Sequence, residues 1–100
     1  MLHICIRWIH DSPDEPVWLF SELDDKGIEK RKVSFWGNGS HARAAEGIEV
    51  GDAALVREPF PNLSVLAKDP QFKVHEISPA AFELVWRRVI AREASESSRV

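Results

Sequence analysis

Apolar and polar side chains alternate along residues 2–10, LHICIRWIH, which puts Leu2, Ile4, Ile6 and Trp8 on one side. This period of two is typical of a β-strand with one buried face. The segment DSPDEP ends the strand, because each proline fixes φ and lacks an N–H donor. Three further strands are predicted, in VWLFSELD, IEKRKVSFW and SHARA.

Two turns predict how these strands pair. Asp24-Asp25-Lys26-Gly27 favours a three-residue hairpin loop with a bulge, which places Leu19 opposite Val33. Asn38-Gly39 favours a two-residue primed turn, which places Ala44 beside Val33. One face then collects the apolar residues of the sheet and is predicted to be the core face: Val17, Leu19, Leu23, Val33, Phe35, Ala42 and Ala44.

The strongest pattern in the chain is a C-terminal helix. Ser78 suits the N-cap, Pro79 the first helical position, and the apolar stripe that follows has helical spacing: Phe82, Val85, Trp86, Val89 and Ile90. We expect this stripe to cover the core face. Between sheet and helix, AALVREPF is compatible with a short edge strand, PNLSVLAKD with a short helix capped by Asn62, and FKVHEI with an extended return.

These elements predict an α+β fold, an antiparallel sheet of four or five strands with the C-terminal helix packed on one face. The predicted strand order is 1-2-3-4 or a close variant, and strand 1 either lies beside strand 2 or pairs elsewhere. Residues 1–94 are predicted to form a single domain and residues 95–100 a frayed polar tail.

Composition narrows the choice of partner. The chain has 100 residues and a formal net charge of −3, and residues 11–29 carry seven acidic side chains against one lysine. This balance argues against nucleic-acid binding and favours a basic protein partner. Cys5 is the only cysteine, and residues 1–10 show no apolar run of membrane-spanning length, so we expect a cytoplasmic protein without a signal peptide. The oligomeric state stays open.

The acidic side chains form two groups at opposite ends of strand 2. Asp11, Asp14 and Glu15 precede the strand, and Asp24 and Asp25 follow it. At about 3.3 Å per residue, Glu15 and Asp24 are separated by about 30 Å. The two groups therefore cannot meet at one metal or one scissile bond, and we interpret them as two acidic rims.

Catalytic motifs are absent from the sequence. Cys5 has no partner base at a recognisable spacing, and the glycines of WGNGS lack the lysine and the helix of a phosphate loop. We therefore predict no catalysis and no cofactor. The alternative is a small metal-dependent or ligand-binding enzyme with a site around His10, Asp11 and Asp14, although this spacing matches no calcium loop or zinc pattern.

Three aromatic side chains stand out. The register above leaves Trp18, Phe20 and Trp36 on the sheet face opposite the helix, among charged residues. Large aromatics on such a face are either covered by another segment, here residues 54–77, or form a binding patch. In the second case they are anchors for a protein partner, with the acidic rims steering its approach.

The segments WIHDSPDEPVWLFSELDD, KRKVSFW, DPQF and EISPAAFELVW together resemble a family of small bacterial proteins with a domain of unknown function. The resemblance covers most of residues 4–90. It implies a small α+β domain without established catalytic residues, and a tyrosine common after the first hairpin turn is replaced here by Ile28. Because small acidic proteins of this kind are frequent among toxin inhibitors, the resemblance implies an immunity-type role.

Overall fold

The computed structural model describes residues 1–97 as one antiparallel sheet with two helices. The strands are β1 (Leu2–Trp8), β2 (Trp18–Leu23), β3 (Glu29–Phe35), β4 (His41–Ala45), β5 (Ile48–Val50) and β6 (Phe72–Ile77). The helices are α1 (Leu63–Leu66) and α2 (Pro79–Ser97). The predicted α+β fold is confirmed, with six strands instead of four or five.

The strands lie in the order β5-β4-β3-β2-β1-β6. The predicted neighbours 1-2-3-4 are therefore confirmed, and strand 1 lies beside strand 2. The extended return, β6, adds the edge beyond β1. The opposite edge is β5, whereas the edge strand predicted at residues 53–60 is wrong because this segment contains no strand.

The first hairpin has the predicted three-residue loop. Its turn is closed by hydrogen bonds from Gly27 N to Asp24 O and from Asp24 N to Ile28 O, each 2.9 Å long. Gly27 has a φ of 79°, a left-handed conformation that glycine adopts without steric cost. Leu23 lies opposite Glu29, as this loop requires.

Beyond the turn, a second irregularity shifts the register of β2 and β3 by one residue. Glu22 lies opposite Arg31 instead of the predicted Lys30, so Lys30 is the extra residue of a bulge in β3. Because side chains alternate between the two faces, one extra residue moves all later residues of β3 to the other face. Val33 consequently lies opposite Phe20 and not opposite Leu19.

The second hairpin also differs from its prediction. A primed two-residue turn needs positive φ at both Asn38 and Gly39, and only Gly39, at 87°, has it. The turn is instead closed by Trp36 N donating to Ser40 O at 3.0 Å, which makes a three-residue loop of residues 37–39. This brings Ala42 opposite Ser34.

The two shifts divide the predicted core face between both sides of the sheet. Under α2 the buried core consists of Val33, Phe82, Trp86 and Val89, with Phe20, Phe35, Ala45, Ile77 and Val85 partly buried against it. On the other face it consists of Ile4, Ile6 and Leu23, with Leu2, Leu19, Phe60, Leu63, Leu66, Phe72 and Val74 packed against it. A single predicted core face is therefore wrong.

Residues 51–71 cross the face opposite α2, from β5 at one edge to β6 at the other. The buried carboxylate of Glu29 fixes this crossover by accepting hydrogen bonds from Val56 N at 2.9 Å and from Ser21 Oγ at 2.8 Å. Asn62 caps α1, as predicted, by accepting from Ser64 N at 2.9 Å. The expected cover on this face thus exists, but it lies over Leu19 and its neighbours.

Helix α2 begins as predicted. Ser78 Oγ accepts from Ala81 N at 3.1 Å, and the helix continues to Ser97, past the predicted start of the polar tail at residue 95. Residues 98–100 of that predicted tail lie outside the described residues. Within the apolar stripe of α2, Trp86 is buried whereas Ile90 is 39% exposed.

We expect Trp86→Ala to lower the free energy of unfolding by about 3 to 5 kcal/mol, since it removes a large buried side chain. Leu84→Ala is the matched control on the same helix, because Leu84 is 52% exposed. Urea unfolding followed by circular dichroism measures both. A Trp86→Ala variant as stable as the Leu84→Ala variant would contradict the packing of α2 described here.

Candidate functional site

A buried ion-pair network joins the sheet to the first turns of α2. Glu22, which is 8% exposed, accepts from Arg31 Nε at 2.8 Å and Arg31 Nη2 at 2.7 Å and contacts His3 Nε2 at 2.8 Å. Arg31 Nη2 also donates to Glu83 on α2. The Arg31 hydrogen bonds outweigh desolvation and lower the pKa of Glu22 to about 2.

A second network fixes the far end of α2. Glu93 Oε1 accepts from Arg43 Nη2 at 2.8 Å, and Glu93 Oε2 lies 2.7 Å from His41 Nε2. The hydrogen bonds from Arg43 lower the pKa of Glu93. The guanidinium carbons of Arg31 and Arg43 lie 5.1 Å and 5.3 Å from the ring centroid of Trp86, so both networks also hold this core residue.

These networks are suited to structure rather than to proton transfer. A general acid or base works best with a pKa near the working pH. The pKa values of Glu22, Glu83 and Glu93 are all lowered by arginine neighbours, away from that range. The carboxylates therefore stay ionised and hold α2 on the sheet.

The loop between β1 and β2 carries the first acidic rim. Asp11, Asp14 and Glu15 are all exposed. His10 organises the loop, since Nε2 lies 2.8 Å from Pro16 O and Nδ1 accepts from Ser12 N at 3.1 Å. Carbonyl and amide partners at the two nitrogens correspond to the neutral imidazole that carries its proton on Nε2.

This geometry bears on the metal hypothesis. Both ring nitrogens of His10 already contact the loop backbone, so Asp11 and Asp14 gain no free imidazole ligand beside them. In the part of the chain that the structure describes, no three His, Cys, Asp or Glu side chains are grouped to hold a metal ion. The carboxylates of this loop are instead exposed to solvent.

The second acidic rim lies in the first hairpin turn, beyond the other end of β2. Asp24 Oδ1 accepts from Ile28 N and Lys26 N, each at 2.9 Å, and chiefly the hydrogen bond from Ile28 lowers the pKa of Asp24. Asp24 is thus a turn-forming residue. Asp25 beside it is exposed and is the freer of the two carboxylates.

The three predicted aromatic anchors are not on one face. The bulge at Lys30 places Trp18 and Phe20 on the α2 side of the sheet, opposite Phe35 and Val33. Trp36 follows Phe35 and turns to the other side, where its Nε1 donates to Asp14 O at 3.1 Å. The predicted position of Trp18 and Phe20 opposite the helix is therefore wrong, while the role of all three aromatic residues as anchors stays a prediction.

Beside α2 the sheet keeps an open groove, which we call the helix groove. Its volume is about 340 Å³, and it is lined by Phe20, Phe35, Val85, Arg88, Val89 and Arg92. Phe20 meets Phe35 edge to face, with ring centroids 5.9 Å apart, and Trp18 stacks on Phe20 at 6.5 Å. Trp18 is not part of the groove lining and remains 36% exposed beside Phe20.

The arginines in and near the helix groove differ in whether a carboxylate pairs with them. Arg92 contacts Glu96 at 3.1 Å and Gly39 O at 2.6 Å. The guanidinium of Arg7 lies over Trp18, 5.2 Å from the ring centroid. Among residues 1–97, no carboxylate forms an ion pair with Arg7 or Arg88.

Sequence reasoning missed Phe35, Arg7, Arg88 and Arg92 as surface-forming residues. The spacing of Arg88 and Arg92 beside Val85 and Val89 was a usable signal, because residues four apart share one helix face. The sheet side of the groove had no such signal, because the bulge decides which face Phe35 occupies.

A family profile described as a domain of unknown function (DUF6881) matches residues 2–91. No curated protein and no solved structure matches the chain. Within residues 1–97, α2 and α1 are each too short or too polar to cross a membrane.

We expect the domain to lose stability as the pH falls from about 4.5 toward 2, the interval between the ordinary pKa of a glutamate, 4.5, and that of Glu22 in the folded state, about 2. A lowered folded-state pKa means that the stabilisation is complete above this interval and is lost below it.

Urea unfolding at pH 7, 4.5 and 3 measures this effect. Glu22→Gln should show a shallower loss than the parent, with a remainder from Glu83 and Glu93, whose pKa values are also lowered. Glu58→Gln, at an exposed position, is the control. Equal pH dependence in the parent and Glu22→Gln would exclude Glu22 as a source of acid sensitivity.

Proposed function

This chain belongs to the DUF6881 family of domains of unknown function, and we propose that it is a non-catalytic protein-binding module of the inhibitor or immunity type. Its partner would be a basic protein such as a bacterial toxin domain. The family description names no activity, so the proposal rests on the surface of this chain and on its small, acidic composition.

The observation that carries the proposal is the exposed loop before β2. Asp11, Asp14 and Glu15 are exposed there, three to seven residues before the exposed ring of Trp18. None of the three forms an ion pair with a cation among residues 1–97. Free charges a few residues from an exposed aromatic side chain combine the features of an electrostatic rim and an interface anchor.

The internal chemistry supports binding over catalysis. Glu22, Glu83 and Glu93 each contact an arginine that keeps the carboxylate ionised, and the buried thiol of Cys5 has a pKa raised by burial. A raised thiol pKa disfavours the nucleophilic thiolate. These groups therefore serve the folded structure and leave the surface for recognition.

The test begins with capture of the partner from the native cell by the tagged domain, followed by binding kinetics on the purified pair. We expect the triple variant Asp11→Asn, Asp14→Asn and Glu15→Gln to slow association and flatten its salt dependence, because long-range attraction is screened by salt. Asp25→Asn measures the second rim separately, and Glu58→Gln is the control for an exposed acid on the crossover.

The aromatic part of the proposal has its own measurement. Trp18→Ala should mainly speed dissociation, at a cost of about 2 kcal/mol or more for a true anchor. Trp36→Ala tests the third predicted anchor, whose indole donates to Asp14 O in the acidic loop before β2. Capture of no protein, or unchanged kinetics in both the triple variant and Trp18→Ala, would refute the proposed interface.

A further inference from the structure

We propose that the helix groove is a second half of the interface and binds an extended segment of a partner protein in which an aliphatic side chain stands beside carboxylates. This inference rests on the proposed function, since it assigns the partner a second contact. The acidic loop attracts basic groups, whereas the groove selects the opposite charge. The recognised surface of the partner is therefore bipolar.

The floor of the groove is apolar and already formed. Phe20 and Phe35 meet edge to face on the sheet side, and Val85 and Val89 line the helix side. The volume of about 340 Å³ accommodates one or two aliphatic side chains but is open to solvent along one side. Filling it removes aromatic and aliphatic surface from water, which stabilises the complex in proportion to the area buried.

The rim of the groove is basic. Arg88 and Arg92 line it from the helix, and on the sheet side Arg7 lies over Trp18, whose ring stacks on Phe20. Arg92 is partly neutralised by Glu96, but neither Arg7 nor Arg88 has a carboxylate partner among the described residues. A guanidinium binds a carboxylate with two parallel hydrogen bonds, so carboxylates next to the inserted side chain complete the site.

The groove is held in place at both ends of the contacting helix segment. Arg92 Nη1 donates to Gly39 O at 2.6 Å, and Glu93 contacts both His41 and Arg43 on β4. At the start of the helix, Arg31 joins Glu83 to the sheet. A preformed groove avoids the entropy cost of ordering the site when the ligand binds.

A nucleic acid fits this surface less well than a protein segment. The groove offers room for one or two aliphatic side chains, and the guanidinium of Arg7 already occupies a face of the Trp18 ring on which a base would stack. Asp11, Asp14 and Glu15 lie at the same end of the sheet and repel a polyanion. For a single carboxylate bound directly to Arg88, the short-range attraction to that guanidinium outweighs the screened repulsion from the acidic loop.

The experiment uses the full chain and short blocked peptides as probes. The acidic probe is acetyl-Glu-Ile-Leu-Glu-amide, its charge control is acetyl-Lys-Ile-Leu-Lys-amide, and its apolar control is acetyl-Glu-Ser-Ser-Glu-amide. NMR follows the methyl groups of Val85 and Val89 and the indole N–H of Trp18. We expect the acidic apolar probe alone to shift these signals, with a dissociation constant of about 1 mM or tighter.

Matched arginine variants test the rim. Arg88→Gln and Arg7→Gln should each weaken binding of the acidic probe by about two- to fivefold, the effect of one exposed ion pair. Arg87→Gln is the control, because Arg87 is adjacent in sequence and its side chain is 81% exposed, but it does not line the groove. All three positions are at the surface, so thermal unfolding should be unchanged.

Four results would overturn the inference: no shift with the acidic probe, equal shifts with the lysine probe, stronger groove binding by anionic vesicles or an oligonucleotide, or concentration-dependent shifts without any ligand, which would indicate a second copy of the chain. These results leave the proposed function standing if the native partner is still captured through the acidic loop. Conversely, groove binding by the acidic probe without capture of a protein from the cell would refute the proposed function and leave the peptide-binding groove standing.

Discussion

The one-residue bulge at Lys30 in β3 is the constraint on which the rest of the structure depends. Because of the bulge, the side chains of Arg31 and Val33 lie on the sheet face that α2 covers. On this face the guanidinium of Arg31 pairs with Glu22 of β2, and Val33 lies opposite Phe20 of β2. Without the bulge, the adjacent lysines would occupy those positions beneath the helix. Lysine makes no bidentate contact with Glu22 and no comparable planar contact with the ring of Trp86. The bulge thereby determines how α2 is held.

The contacts that hold α2 on the sheet engage particular charged side chains. Arg31, Arg43 and the two histidines beside them are engaged with carboxylates under α2, and Glu29 is engaged with the crossover on the opposite face. Asp11, Asp14 and Glu15 in the loop before β2 have no cation partner among residues 1–97, and Arg88, which has no carboxylate partner among the same residues, borders the helix groove. A net charge of −3 conceals this separation, which is the basis for proposing a bipolar partner surface.

Two layers on opposite sides of one sheet also explain why an open groove persists. The crossover with α1 covers the face that contains Ile4 and Leu23. A single helix covers the other face and is joined to β3 at its start and to β4 near its end. Phe20 and Phe35 lie beside its path and are only partly buried. Their partial exposure follows from the placement of α2 and does not indicate an unstable core.

The sequence by itself determined the elements: the strands around residues 2–8, 18–23, 29–35 and 41–45, the Gly27 turn, the Asn62 cap, and α2 from Ser78 onward. Local propensities and turn chemistry specify these features, and periodicity reports burial within each one. Only the tertiary structure decided which face each residue occupies. A bulge and a three-residue loop each change the register by one position, and a change of one reverses both faces of a strand. For that reason Trp18 and Phe20 could be identified as candidates from the sequence, whereas their place beside α2 and among Arg7, Arg88 and Arg92 could not.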